Sequence, residues 1–212
     1  MSVLPAPRRR LALAIAVSIA LVMAAPFLGE LRSQLRAAFP GQFTLIVKGV
    51  VGASVFVALS LTRVRERRAL RYGAMGLAVV SAAVYALATG SMDPNVFWVE
   101  AIHFVQYGIV TFLFYRVWRD RGDWSSLAVP FVAAFIVGIA EEGYQWFLPA
   151  RVGELKDVWL NGVAIGCGLL FSLGAAPLAP FSWQWRSGSA RLVLRAAAMA
   201  VLALAAFVHA VH

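Results

Sequence analysis

Acidic side chains are scarce in this chain. Ten Asp and Glu stand against 19 Lys and Arg in 212 residues, and only 14% of the chain is charged, where about a quarter is usual for a soluble domain. That deficit excludes an ordinary hydrated surface. Cys167 is the only cysteine, so no intrachain disulfide can form, and inside an apolar run it reads as a small core residue. The Glu, His and Asp side chains could together bind a divalent metal, but no HExxH or other compact ligand spacing singles out a metal site, and no cofactor is expected. The alternating segments of about ten residues that build an outer-membrane barrel are absent. No repeat and no domain-separating linker interrupts the chain, so residues 1–212 form one integral membrane domain.

What is abundant is apolar sequence. Hydrophobic residues make up 61% of the chain, the mean hydropathy is +0.78, and several apolar runs reach 18 residues or more. Helices are the remaining way to satisfy a backbone in lipid, so the fold class is an all-α membrane protein, a polytopic bundle of seven transmembrane helices. The net charge of +9 does not imply a nucleic-acid partner, because the arginines cluster between apolar runs. That pattern belongs to membrane topology.

The first span covers about residues 11–28, behind Arg8, Arg9 and Arg10. Ala24 and Ala25 resemble a signal-peptide cleavage site, which would leave six helices. Pro26 directly after them, and a run longer than a signal h-region, favour a retained helix. Residues 29–42 place Leu31, Leu35 and Phe39 at four-residue spacing, as in an interfacial segment. Further spans cover about 43–62, 72–90, 96–117, 125–142, 158–173 and 192–211. With the N-terminus in and the C-terminus out, 14 of the 19 basic residues fall on the inside, and every inside loop is basic.

On this topology the polar residues converge at the outer end. Glu100, His103 and Tyr107 follow i, i+3, i+7 and share one helical stripe. Glu141, Glu142 and Gln145 close the fifth span. Asp157 and Asn161, four apart, open the sixth, where Asp also suits the helix dipole. Each has a plain structural reading as well: Asp157 as a helix cap, Tyr107 and Trp146 as interfacial anchors, Gly162 and Gly166 as a helix-packing pair, Arg151 as a loop residue paired with Glu142 or Asp157. The inner half shows no comparable group of polar residues.

The series Glu142, Gln145, Pro149, Arg151, Asp157, Asn161, with the upstream His103, Phe104 and Tyr107, resembles the VanZ-like family of membrane proteins, named after a teicoplanin-resistance protein. The similarity covers about residues 96–174; the helices at about 11–28, 43–62, 72–90 and 192–211 carry no matching motif. Two positions depart from the pattern. Val99 and Glu100 stand where the family often has Asp-Lys, which weakens the case for a charge relay ending at the histidine. Ala164 replaces a usual glycine. The resemblance implies a multi-pass protein of the bacterial cytoplasmic membrane that acts at the cell envelope, including in tolerance of glycopeptides.

The side-chain chemistry allows several uses. His103 and Glu142 suit proton transfer or hydrogen bonding and are the candidate catalytic pair. Tyr107, Gln145, Arg151, Asp157 and Asn161 are candidate ligand-binding residues, with Arg151 placed to hold a phosphate or carboxylate. The favoured expectation is an outward-facing site for an amphiphilic or anionic ligand: a membrane lipid, a lipid-linked envelope intermediate or a lipoglycopeptide. The alternatives are an enzyme acting on such an intermediate, a salt-bridged structural latch, and part of a transporter.

Overall fold

The computed structural model describes residues 6–62, 64–89, 94–148 and 155–211. Within them lie seven α-helices: α1 (Ala6–Ala38), α2 (Phe43–Leu61), α3 (Arg68–Thr89), α4 (Pro94–Trp118), α5 (Ser125–Trp146), α6 (Leu155–Ala175) and α7 (Ser189–Val211), with a 3₁₀ turn at Arg119–Arg121 before α5. No strand occurs among the described residues. Among the described residues, α1, α2, α3, α5, α6 and α7 are each long and apolar enough to cross a membrane, which marks a multi-pass membrane protein.

The centre of the bundle is α4. α4 packs against α1, α2, α3, α5 and α6. A helix surrounded by helices can carry Glu100, His103 and Gln106 without presenting them to lipid. Burial follows the same plan. The apolar windows of α5 and α6 are 44% buried, against 6% to 17% for α1, α2, α3 and α7. α4, α5 and α6 form the inner layer, and the other helices pack around them. Tyr107, Val110 and Phe114 of α4 meet Ala14, Ala134, Ala164 and Ile165 in the core. Ile139, Val158 and Phe207 fasten α7 to α5.

The expected break between a first span and an interfacial segment does not occur. α1 is one helix of 33 residues that runs through Pro26, about 50 Å long against a hydrocarbon core of about 30 Å. Leu31 and Leu35 therefore belong to its continuation, where Gln34 donates to Glu30 across one helical turn (2.8 Å). Proline is tolerated inside membrane helices where the freed carbonyl finds other partners.

The close approach of α4 and α6 sets the register of the site. A Cβ on Gly168 would lie 2.9 Å from the Gly108 Cα and 3.2 Å from the Thr111 Cβ, so only hydrogen fits there. The pair Gly162 and Gly166, expected to pack helices, does so less: a Cβ on Gly166 would meet nothing within 4 Å, and one on Gly162 only the edge of Phe135 at 3.4 Å. At the far end of α6, Arg71 donates to the carbonyls of Gly174 (2.7 Å) and Ala175 (2.8 Å). Tyr115 donates to that of Ala176 (2.6 Å). A cation and a hydroxyl thus satisfy carbonyls that a helix C-terminus leaves open.

Candidate functional site

The first turns of α4 and α6 and the last of α5 meet at one end of the bundle, and their polar side chains close a ring. The Tyr107 hydroxyl donates to Glu141 Oε2, joining α4 to α5. The Asn161 amide donates to Glu142 Oε1 at 3.4 Å, joining α6 to α5. Asn161 Oδ1 lies 2.9 Å from His103 Nδ1, joining α6 to α4. Gln145 donates to Glu141 Oε1 at 3.3 Å. Glu141 and Glu142 are neighbours on a helix, so they point about 100° apart; one serves α4 and the other α6.

Tyr107, Glu142 and Asn161 are wholly buried, and Glu141 and Gln145 nearly so. His103 and Asp157 are half-buried, and the His103 ring stacks on Tyr107 with centroids 6.3 Å apart. Gly138, one turn before Glu142, makes room for this arrangement: its Cβ would lie 3.2 Å from the Asn161 Cβ and 3.5 Å from the Tyr107 ring.

The ring also assigns the histidine tautomer. Glu142 accepts from the Asn161 amide nitrogen, which turns the Asn161 oxygen toward His103. An acceptor there requires Nδ1 to carry the proton, so Nε2 is the basic nitrogen of the neutral imidazole. At the rim, Lys156 pairs with Glu100 (3.1 Å) between α6 and α4. Phe147 and Trp159 are 77% and 70% exposed around it, with Trp146 and Leu155 also exposed.

Most of the residues expected from the sequence therefore meet here: His103, Tyr107, Glu142, Gln145 and Asn161, with Asp157 in the first turn of α6. α5 runs to Trp146 rather than ending at Glu142, which is why Gln145 joins the site. Arg151 and Pro149, in the α5–α6 connection, lie outside the described residues. The reading of Tyr107 as an interfacial anchor is corrected, since its hydroxyl is buried on a carboxylate. Glu141 was undervalued; its i, i+4 spacing to Gln145 was the available signal. Among the described residues, no three His, Cys, Asp or Glu side chains are grouped so as to hold a metal ion.

The opposite end is not featureless, contrary to expectation. Asp123, Ser125, Ser126 and Ser189 are all fully buried. The Asp123 carboxylate accepts from the Ser125 hydroxyl (2.5 Å) and N–H (3.0 Å) and from the Arg186 N–H (2.9 Å). Its own N–H donates to Ser126 (3.3 Å), in the manner of a helix N-terminal cap. Arg121 donates to Ser189 (3.2 Å). Burial pushes the Asp123 carboxyl up, but the hydrogen bonds from Ser125, Ser189 and the Arg186 backbone outweigh it and hold the group down at about 2. Asp123 thus ties the starts of α5 and α7 together. The Asp123–Ser126 spacing was visible in the sequence; the partners more than 60 positions away were not.

Comparison with known families, curated proteins and solved structures finds no match for the chain.

Proposed function

We propose that the chain is a bacterial cytoplasmic-membrane protein of the VanZ-like type with seven transmembrane helices, its N-terminus inside, and an outward-facing site for an amphiphilic envelope ligand. The topology is supported by the arginines, which cluster at the end of the bundle opposite His103. α4 counts as the seventh span because its neighbours shield its polar stripe. The family likeness rests on the motif residues alone.

One observation carries the binding reading: a buried ring of donors and acceptors from three helices sits beneath a rim of exposed aromatic side chains and a lysine. Carboxylates, an amide and an imidazole in a dry setting recognise hydroxyl and amide groups strongly. Two buried carboxylates disfavour a bare anion at the ring itself. An anionic group belongs at the rim, near Lys156, and an apolar tail against Trp159 and Phe147. The ligand class that satisfies all three is a lipid-linked, sugar- or peptide-bearing headgroup; a lipoglycopeptide such as teicoplanin has the same chemistry. Glycopeptide tolerance would follow from sequestering such a molecule.

The test is titration of purified protein in detergent with teicoplanin and with an anionic phospholipid, for the native chain and for Glu142→Gln and His103→Ala. Saturable binding that both variants weaken at least tenfold supports the proposal. Equal binding by all three refutes it.

A second reading has its own observation. The Glu142–Asn161–His103 series leaves Nε2 of a half-buried histidine as a base, which is how a general acid–base residue is oriented. An enzyme of this kind would convert a lipid-linked substrate and lose turnover, but not binding, in His103→Gln; product analysis after incubation with native membranes' lipid extract separates the two readings.

A further inference from the structure

At the arginine-rich end, away from the polar ring, a hydrophobic groove of about 450 Å³ opens between α5, α6 and the segment before α7. Leu127, Ala128, Phe131 and Val132 of α5 line it, with Trp124 just before that helix, Leu169 of α6 and Trp185. The α5 residues recur at helical spacing, so the groove runs along the helix from the membrane interface toward the bilayer interior.

Its mouth is held in place. Ser182 donates its N–H to the Gly122 carbonyl (2.7 Å), and the Arg186 N–H is fixed on Asp123 (2.9 Å). Trp124, Phe181 and Trp183 pack edge to face, with centroids 5.4 Å to 5.6 Å apart. Arg186 engages Asp123 through its backbone N–H, and the residue, next in sequence to Trp185, is exposed. Arg119 and Arg121 lie in the 3₁₀ turn shortly before Trp124, where Arg119 pairs with Asp120 (3.2 Å).

We propose that this groove binds one acyl chain of an anionic phospholipid, with the phosphate at Arg186 and the Trp124 and Trp185 rings at the level of the glycerol. Three features select this occupant. The lining is apolar and comes mainly from α5 and α6, both able to span the membrane. Tryptophan is favoured at the boundary between chains and headgroups. The charge at the mouth is positive, and a guanidinium matches a phosphate with two hydrogen bonds. The site is separate from the polar ring and does not depend on its function.

Native mass spectrometry of the full chain, equilibrated with equal phosphatidylglycerol and phosphatidylcholine, tests it. The native chain should retain phosphatidylglycerol about fivefold over phosphatidylcholine, the preference expected of one interfacial arginine. Arg186→Gln preserves the backbone N–H to Asp123, so it should melt as the native chain does while the preference falls to about one. Ala128→Phe, which narrows the groove, should reduce retention of both lipids. Equal retention of the two lipids by the native chain, an unchanged preference in Arg186→Gln, or a second protein copy in place of lipid would each overturn the proposal.

Discussion

The bond between His103 and Asn161 can be tested by a double-mutant cycle. Asn161→Ala removes a fully buried amide that accepts from His103 at 2.9 Å and donates to Glu142 at 3.4 Å. The first contact has full hydrogen-bond geometry; the second is long and weaker. A net hydrogen bond is worth about 1 kcal/mol, and a buried carboxylate deprived of a donor costs a further 1–2 kcal/mol, so the variant should lose about 2–3 kcal/mol. His103→Ala, at a half-buried position, should lose about 1–2 kcal/mol. The double variant should lose about 1 kcal/mol less than the sum, since the shared bond is counted twice. Unfolding in mixed micelles measures all three. The control is Tyr115→Phe, whose hydroxyl serves Ala176 about 18 Å further along α4; paired with Asn161→Ala it should be additive within about 0.5 kcal/mol. A His103–Asn161 coupling as small as that control would refute the ring and with it the tautomer assignment.

Gly168→Ala should cost about 2 kcal/mol, because its methyl would meet the Gly108 backbone at 2.9 Å, whereas Gly166→Ala, with open space around it, should stay within about 0.5 kcal/mol by thermal melting. Asp123 supplies a pH-dependent contribution. Its folded pKa of about 2 lies below the ordinary 3.8, so the stabilisation, about 2 kcal/mol, is fully present above pH 4 and is lost as the pH falls toward 2. Asp123→Asn should therefore lower the melting temperature at pH 7, with the difference from the native chain shrinking at pH 3. Arg71→Gln should cost about 1–2 kcal/mol by leaving the carbonyls of Gly174 and Ala175 without their cation, read as a lower melting temperature that increased salt does not restore.

Much of the helical plan was legible because apolar runs of membrane length are hard to mistake. The stripe Glu100–His103–Tyr107 was legible for the same local reason, a helical period. Gln145 was harder. It lies beyond the last apolar residue of its run, and only packing against α4 and α6 makes a helix worth continuing through Glu141 and Glu142. The end of the apolar run near Leu28 misled in the other direction, suggesting a break where α1 continues to Ala38. Gly162 and Gly166 had the right spacing for close packing, but which glycine meets a backbone depends on the rotation of α6 against α4, and that selects Gly168. Of the Asp123 group only the local Asp123–Ser126 spacing was legible, because the Asp and its distant partners meet only when the segment before α7 folds back on the start of α5.

The most direct test of the central claim is a paired measurement on Glu142→Gln: melting temperature of the purified protein, and protection of cells against a lipoglycopeptide. Gln keeps the size of Glu142 and an oxygen to accept from Asn161, so the ring survives with little loss of stability while the charge is removed. The proposal predicts near-native melting with protection abolished. Protection retained, or lost only together with the fold, would contradict it and leave the ring as a latch among three helices.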